Sequence, residues 1–207
     1  MDHEALDATA TRILDAALDA FLIDGYAGTS TDQIVVGAAA SKRTIYERFG
    51  GKEGLFRAVG RRLVDRARLQ ITQTDVADCL SAEEAVRRLS EQIATSILDP
   101  RIQRFRRLVI AEAARFPDIG ADYYETAFSV NVKGLSRVLD GLVDRGLLDI
   151  EDSIAAAHQL VALTSWLPTN KIMLTGRLDS VAPIEIEGSI RGAVRMFLAT
   201  YRPLDGR

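Results

Sequence analysis

The chain has 207 residues and a formal net charge of −3, with 47% hydrophobic and 27% charged residues. That balance excludes a disordered chain, and the length allows one large domain or two small ones. No apolar run approaches the roughly 18 residues a membrane-spanning helix needs, and Met1-Asp2-His3-Glu4 is acidic where a secretory signal is positive, so the chain is expected in the cytoplasm.

Apolar residues recur at helical spacing throughout, and no alternating stretch is flanked by hairpin signals, so the fold class reads all-α. Ala10, Ile13, Leu14, Ala17, Leu18, Phe21 and Leu22 form one stripe on a first helix, expected to start at Asp7 or Thr9 and stop at Gly25. Ser30-Thr31-Asp32-Gln33 is a capping-box pattern that opens a short helix ending near Ala38. Ser41 caps a second short helix over 42–49, which Gly50-Gly51 breaks, and a long helix follows over 52–71. These lengths point to a three-helix head over 1–51, joined by the helix 52–71 to a larger helical part that together with it spans 52–207. In that part Ser81-Ala82-Glu83-Glu84 opens a helix that Pro100 ends. The next covers 101–116 and stops at Pro117, and a long one covers about 118–145, closed by Gly146. Another spans about 151–176, with Pro168 expected to kink it, and the last spans 183–201.

Charge is uneven along the chain. Between Gly37 and Arg62, Lys42, Arg43, Arg48, Lys52, Arg57, Arg61 and Arg62 face only Glu47 and Glu53, a local net of +5. Such a segment implies an anionic partner, of which duplex DNA is the commonest large one; a solvated helix face is the alternative. A helix that reads a major groove presents small polar and basic side chains at its N-terminal end, and Lys42, Arg43 and Thr44 stand there. Arg43 is the expected bidentate contact to guanine, Thr44 suits a thymine methyl or a phosphate, and Arg48 can reach backbone or base. Ser30 and Thr31 at one helix start, and Lys52 at another, are expected to hold phosphates without reading sequence. Ser30, Thr31 and Ser41 cap helices in any case. Ile45 and Phe49 are assigned to the core and Glu47 to solvent.

The stretch Ile34-Val35-Val36-Gly37-Ala38-Ala39-Ala40-Ser41-Lys42-Arg43-Thr44-Ile45-Tyr46-Glu47-Arg48-Phe49, followed by Gly51-Lys52-Glu53-Gly54-Leu55-Phe56, resembles the helix-turn-helix of the TetR family. The resemblance covers residues 9 to 60. It implies a DNA-binding head in which Ser41 belongs to the binding set and Tyr46 contacts phosphate, with core packing as the alternative for the tyrosine. Two positions depart from the family pattern. Ala39 replaces the usual glycine of the turn, which costs stability if the turn needs a positive φ, and Ala40 replaces a larger apolar residue.

Arg107-Leu108-Val109-Ile110-Ala111-Glu112-Ala113-Ala114-Arg115-Phe116-Pro117 resembles the AefR-like regulatory domain found in part of that family, which implies a ligand cavity and a dimer interface. Candidate cavity residues are the polar Glu112, Asn131, His158, Trp166 and Asn170, with Phe105, Phe128 and Met173 as apolar walls; a satisfied core or interface role is the alternative for each. Gly188, Gly192, Met196 and Ala199 form a second stripe on the last helix, and small residues there let another helix approach. The helix over 151–176 is apolar on more than one face, with Ala155 and Ala162 on it. Together these suit a four-helix homodimer interface, as in the family, with burial inside one monomer as the alternative.

The expected function is that of a ligand-responsive DNA-binding regulator, a homodimer released from double-stranded palindromic operator DNA by a small apolar effector. An activator or architectural DNA binder on the same fold, or a helical binding protein or enzyme, are the alternatives. Against an enzyme, no Ser/His/Asp set, carboxylate pair or phosphate loop is visible. The lone Cys79 and the distant His3 and His158 give no metal cluster, so neither metal nor cofactor is expected, nor a membrane partner.

Overall fold

The computed structural model describes residues 8–72, 76 and 78–203, with the side chains of 66–72 set aside. The acidic N-terminus, His3 and a helix start at Asp7 lie outside the described residues. Those described hold no strand.

Helix α1 spans Ala8–Gly28, with one non-helical residue inside it, Gly25 (φ 74°, ψ 171°). The expected stop at Gly25 is therefore a break within the helix. One more turn follows because Thr29 donates to the Gly25 carbonyl through both its amide (3.2 Å) and its hydroxyl (2.7 Å). Helix α2 (Thr31–Ala38) starts at the expected capping box: Ser30 Oγ accepts from the Gln33 amide at 3.2 Å, and Gln33 Oε1 accepts from the Ser30 amide at 3.4 Å. It ends in Ala39, whose φ of 47° and ψ of 47° are left-handed. The Ala39 amide donates to the Val36 carbonyl and the Ala40 amide to that of Val35, a Schellman closure with alanine where glycine is usual. This turn does require a positive φ, so the departure at Ala39 is a strained one. Helix α3 (Lys42–Phe49) is capped by Ser41 and closed by Gly50, and α4 spans Lys52–Thr72.

Backbone contacts divide the chain into two compact units. The first comprises the residues up to Val64 together with Arg104–Ala127. It holds α1 to α3, the front of α4, most of α6 (Pro100–Ala113), α7 (Pro117–Tyr123) and part of the segment after it. Its centre is a run of rings. Phe56 meets Phe21 edge-on at 5.0 Å and Tyr26 at 4.9 Å, stacks on Phe105 at 4.8 Å, and Tyr26 continues to Phe116 at 4.9 Å. Ile13, Leu14, Ile34, Ile45 and Leu55 complete this core.

The second unit comprises Asp65–Gln103 and the residues from Phe128 on. Its helices are α5 (Ala82–Ile97), α8 (Val130–Asp144), α9 (Ser153–Thr175) and α10 (Pro183–Tyr201), with α5, α8 and α10 all packed on α9. Leu89, Ile93, Leu135, Leu139, Leu142, Leu160 and Phe197 fill its core. Cys79 is fully buried at its edge, and the Arg145 guanidinium clamps the segment there by donating to the carbonyls of Val76 and Cys79, each at 2.6 Å.

Three further helix limits differ from expectation. The helix over 101–116 is α6, which ends at Ala113; Pro117 forces Phe116 to φ −129° and ψ 73° and starts α7 instead. The long helix expected over 118–145 is α7, a π-helical segment Tyr124–Ser129, and then α8. Helix α9 begins at Ser153 because Asp152 caps it, its Oδ1 accepting from the Ala155 amide at 2.9 Å. Pro168 lies within α9, which continues past it, although the proline has no N–H for the Thr164 carbonyl.

Candidate nucleic-acid interface

Helix α3 is held by its apolar side and offers the rest to solvent. Ile45 is fully buried and Phe49 half-buried, as assigned, while Ser41, Lys42, Arg43, Tyr46, Glu47 and Arg48 are exposed. Only Thr44 of the expected readers is half-buried, and its hydroxyl lies 2.7 Å from Ser41 Oγ, which also accepts from the Thr44 amide at 3.0 Å. Tyr46 is not in the core: its ring lies along Gly51 with about half its surface exposed, 52%. On α2, Ser30 is exposed and Thr31 half-buried beside the free amides of the first turn.

The cations of the basic segment do not form one patch. Arg57 pairs with Glu53 at 2.7 Å and approaches Asp122, Arg61 pairs with Asp122 at 3.1 Å, and Arg62 pairs with Asp15 at 2.9 Å. These three tie α4 to α7 and α1, Arg57 and Arg62 largely covered and Arg61 still more than half exposed. At the front of α3, Lys42 meets Asp32 of α2 at 2.9 Å, a hydrogen bond that holds the ammonium above its ordinary pKa. Arg43 Nε donates to Glu47 Oε1 at 2.6 Å, with 85% and 58% of the two side chains exposed.

Lys52, expected to clamp phosphate, points the other way. Its Nζ donates to the carbonyls of Tyr26 (2.9 Å) and Thr29 (3.0 Å) and lies 4.7 Å over the Tyr26 ring. Tyr26 lies past the glycine break in α1 and Thr29 just beyond the helix, and the lysine supplies a donor to both carbonyls. The sequence motif placed Lys52 at a helix start but could not show which way its ammonium turned. Next to it, a methyl group on Gly54 would fall onto the Phe49 carbonyl, so the α3–α4 junction closes only over a bare glycine.

The eight candidate cavity residues fall into both units. In the first, Phe105 is buried in the ring stack and Glu112 accepts from the Ala27 amide at 3.4 Å. In the second, His158 is exposed beside the half-buried Phe128 (5.6 Å between rings), and Trp166 is 65% exposed. Asn170 Nδ2 donates to the Trp166 carbonyl at 2.7 Å, and Asn131 and Met173 are half-buried. His158 and Trp166 are therefore surface residues of this unit. Sequence reasoning missed the side-chain oxygens of Gln92, Thr164 and Thr169 in the second unit, which are buried without a hydrogen-bond partner. Polar residues on an apolar helix were the available signal, but spacing does not tell which of them stay unsatisfied.

On α9 and α10, Leu174, Ile184, Trp166, Leu167 and Met196 are exposed apolar side chains. Gly188, Ala162 and Ala199 are exposed, Gly192 and Ala155 half-buried, and nothing lies within 4 Å of a Cβ built on either glycine. Ala199 stands at the rim of a charged cleft with Arg87, Glu91, Arg191 and Arg195. Among the described residues no three His, Cys, Asp or Glu side chains gather where a metal ion could sit, and no helix is long and apolar enough to cross a membrane.

Residues 13–59 match the family described as bacterial regulatory proteins, tetR family, and residues 84–203 match the AefR-like transcriptional repressor, C-terminal domain. A solved structure described as a TetR-family transcriptional regulator from Mesorhizobium loti MAFF303099 is 30% identical, with a TM-score of 0.87 over 95% of this chain and 99% of that one. A second, described as the flavonoid-responsive regulator FrrA, is 25% identical, with a TM-score of 0.76 over 93% of this chain and 96% of that one. A TetR-family regulator from Pseudomonas syringae pv. tomato str. DC3000, 23% identical, shares the fold at a TM-score of 0.73 over 96% of this chain and 99% of that one. The curated proteins offer no match.

Proposed function

Because this chain belongs to the TetR family of bacterial regulatory proteins, whose members regulate transcription, we propose that it is a repressor. It holds a palindromic operator as a homodimer and releases it when a small, mostly apolar molecule binds. The observation that carries the reading is the front of α3, where Arg43 stands 85% exposed on a helix whose opposite side is locked into the core by Ile45. A rigid helix with an outward cation at its N-terminal turn is what major-groove reading needs.

In this reading residues 1–51 form the head and 52–207 the effector-binding and dimerising part, with α4 as connector. Arg43 reads guanine. Ser30, Thr31, Ser41, Lys42, Thr44, Tyr46 and Arg48 supply phosphate or further base contacts, and Lys52 positions α1 against α4. Two heads must sit about one helical turn of DNA apart, so the subunits pair, and the open small-residue face of α9 and α10 is the proposed interface, with Ala155, Ala162, Gly188, Gly192, Met196 and Ala199 on it. Exposed Trp166 fits that interface better than a cavity.

The effector reaches the second unit, where Thr164 and Gln92 hold buried side-chain oxygens without a partner and whose core is apolar. Oxygens without donors call for a ligand that brings hydroxyls to an apolar frame. A flavonoid is the first compound to try, since a relative is described as responding to one. An effector favouring the released form about 100-fold would supply about 2.7 kcal/mol, sufficient for derepression.

Fluorescence anisotropy with the duplex upstream of the chain's own coding sequence tests the reading. Arg43→Ala should cost about 1–3 kcal/mol on that duplex and relax preference at one base pair. An equal loss on every duplex would make Arg43 a phosphate contact, and no binding by the wild type at low ionic strength would end the DNA reading.

A further inference from the structure

The ion pair on the outer face of α3 has a geometry that bears on base reading. Arg43 gives Glu47 its Nε proton at 2.6 Å, and among the described residues neither of its terminal nitrogens has a hydrogen-bond partner. An arginine can meet a guanine's O6 and N7 either side-on, through Nε and one terminal nitrogen, or end-on, through both terminal nitrogens. With Nε occupied only the end-on approach remains, and the guanidinium plane is fixed by a second point of attachment. The other cation at this end, Lys42, is held from α2 by Asp32 and has no fork to aim.

Resting on the DNA-binding reading above, we propose that Glu47 is a specificity-determining residue: it positions Arg43 for end-on pairing with guanine and discourages binding where guanine is absent. An exposed pair one helical turn apart contributes little to folding, so its loss should leave the head intact. Inside a groove the balance changes. Water is displaced, the Glu47–Arg43 attraction strengthens, and the arginine that Glu47 already holds in the free head enters the groove preset for its base, with less side-chain freedom to lose. At a site with no guanine the terminal nitrogens find no matched acceptors. The Glu47 charge is then brought among phosphates without compensation, which weakens non-specific binding.

The test begins with a library of duplexes carrying about 20 randomised base pairs, selected with the wild-type protein. Affinities of wild type, E47Q, E47A, R43A and the double variant R43A/E47A are then measured on the selected duplex and on a scrambled one. E47A should bind the selected duplex ~10-fold more weakly, in the lower range of one bidentate base contact, and the scrambled duplex more tightly than wild type does. E47Q should lose less on the selected duplex, because its amide oxygen still accepts from Nε, while gaining as much on the scrambled one. In the R43A background E47A should cause no further loss on the selected duplex. Circular dichroism melting curves should coincide for all five proteins.

Two results overturn the inference. One is undiminished affinity of E47A for the selected duplex; the other is a loss in E47A that simply adds to that of R43A. A wild type that enriches no sequence at all would instead remove the DNA reading, and this inference with it.

Discussion

Replacing Ala39 by glycine should stabilise the protein. Ala39 holds φ 47° and ψ 47° at the close of α2, in the left-handed region where an L-residue's Cβ crowds the following carbonyl. That strain is worth about 1–2 kcal/mol. Glycine removes it but adds backbone freedom to the unfolded chain, an offset of about 0.4–1 kcal/mol. The methyl group is exposed, so no packing is lost with it. The net gain is about 0–1.6 kcal/mol, centred near 0.8, which for a chain of this size raises Tm by about 2–3 °C at the centre of the range. Thermal melts followed by circular dichroism, with urea midpoints beside them, give the measurement. Ala39→Val is the companion variant: a β-branched residue fits this region worse, so its Tm should fall. A glycine variant that melts at or below the wild-type temperature would refute the reasoning, because the turn would then hold no relievable strain.

Lys52→Met should cost about 1–2 kcal/mol in urea unfolding, since the carbonyls of Tyr26 and Thr29 lose their donor; the salt slope of DNA binding should stay the same, and a slope smaller by about one would put Lys52 on a phosphate after all. Gly54→Ala should destabilise by about 1–3 kcal/mol, because the new methyl meets the Phe49 carbonyl; wild-type stability would mean the junction relaxes freely. Glu185 accepts from Lys171 at 2.7 and 2.8 Å and from the Ala182 amide at 2.9 Å, contacts that lower its pKa, the lysine bond foremost. A depressed folded value means its stabilisation is complete above the ordinary glutamate range and fades as pH falls through the folded value. Glu185→Gln should therefore flatten the acid limb of a stability-against-pH curve, and an unchanged limb would exclude this residue from it.

Local chemistry made much of the fold legible. Ser30, Ser41 and Ser81 declare helix starts through oxygens that need only the next turn's amides, and Gly50 and Gly176 declare ends through a conformation few other residues accept. Limits that depend on more distant partners were not legible. Gly25 looks like a terminus until Thr29 is seen to bond back across it. The π turn at Tyr124–Ser129 carries no proline or glycine to announce it. The candidate site divides the same way. Outward positions of α3 follow from its period, but the ion pairing of Arg57, Arg61 and Arg62 needs Asp15 and Asp122 from other helices. His158 and Trp166 were cavity candidates because they are polar groups on an apolar helix, whereas that helix has apolar residues on too many sides to bury everything it carries at once.

The clamp of Arg145 over Cys79 leaves the chain with a built-in reporter. Its one thiol is sealed from solvent, and burial pushes its pKa up, so two conditions for alkylation, access and thiolate, are withheld together. A maleimide in the buffer would therefore count openings of that corner of the molecule, one irreversible label per excursion. Comparing the labelling rate with and without a candidate small molecule would reveal tightening or loosening there, with no dye introduced and no DNA in the tube.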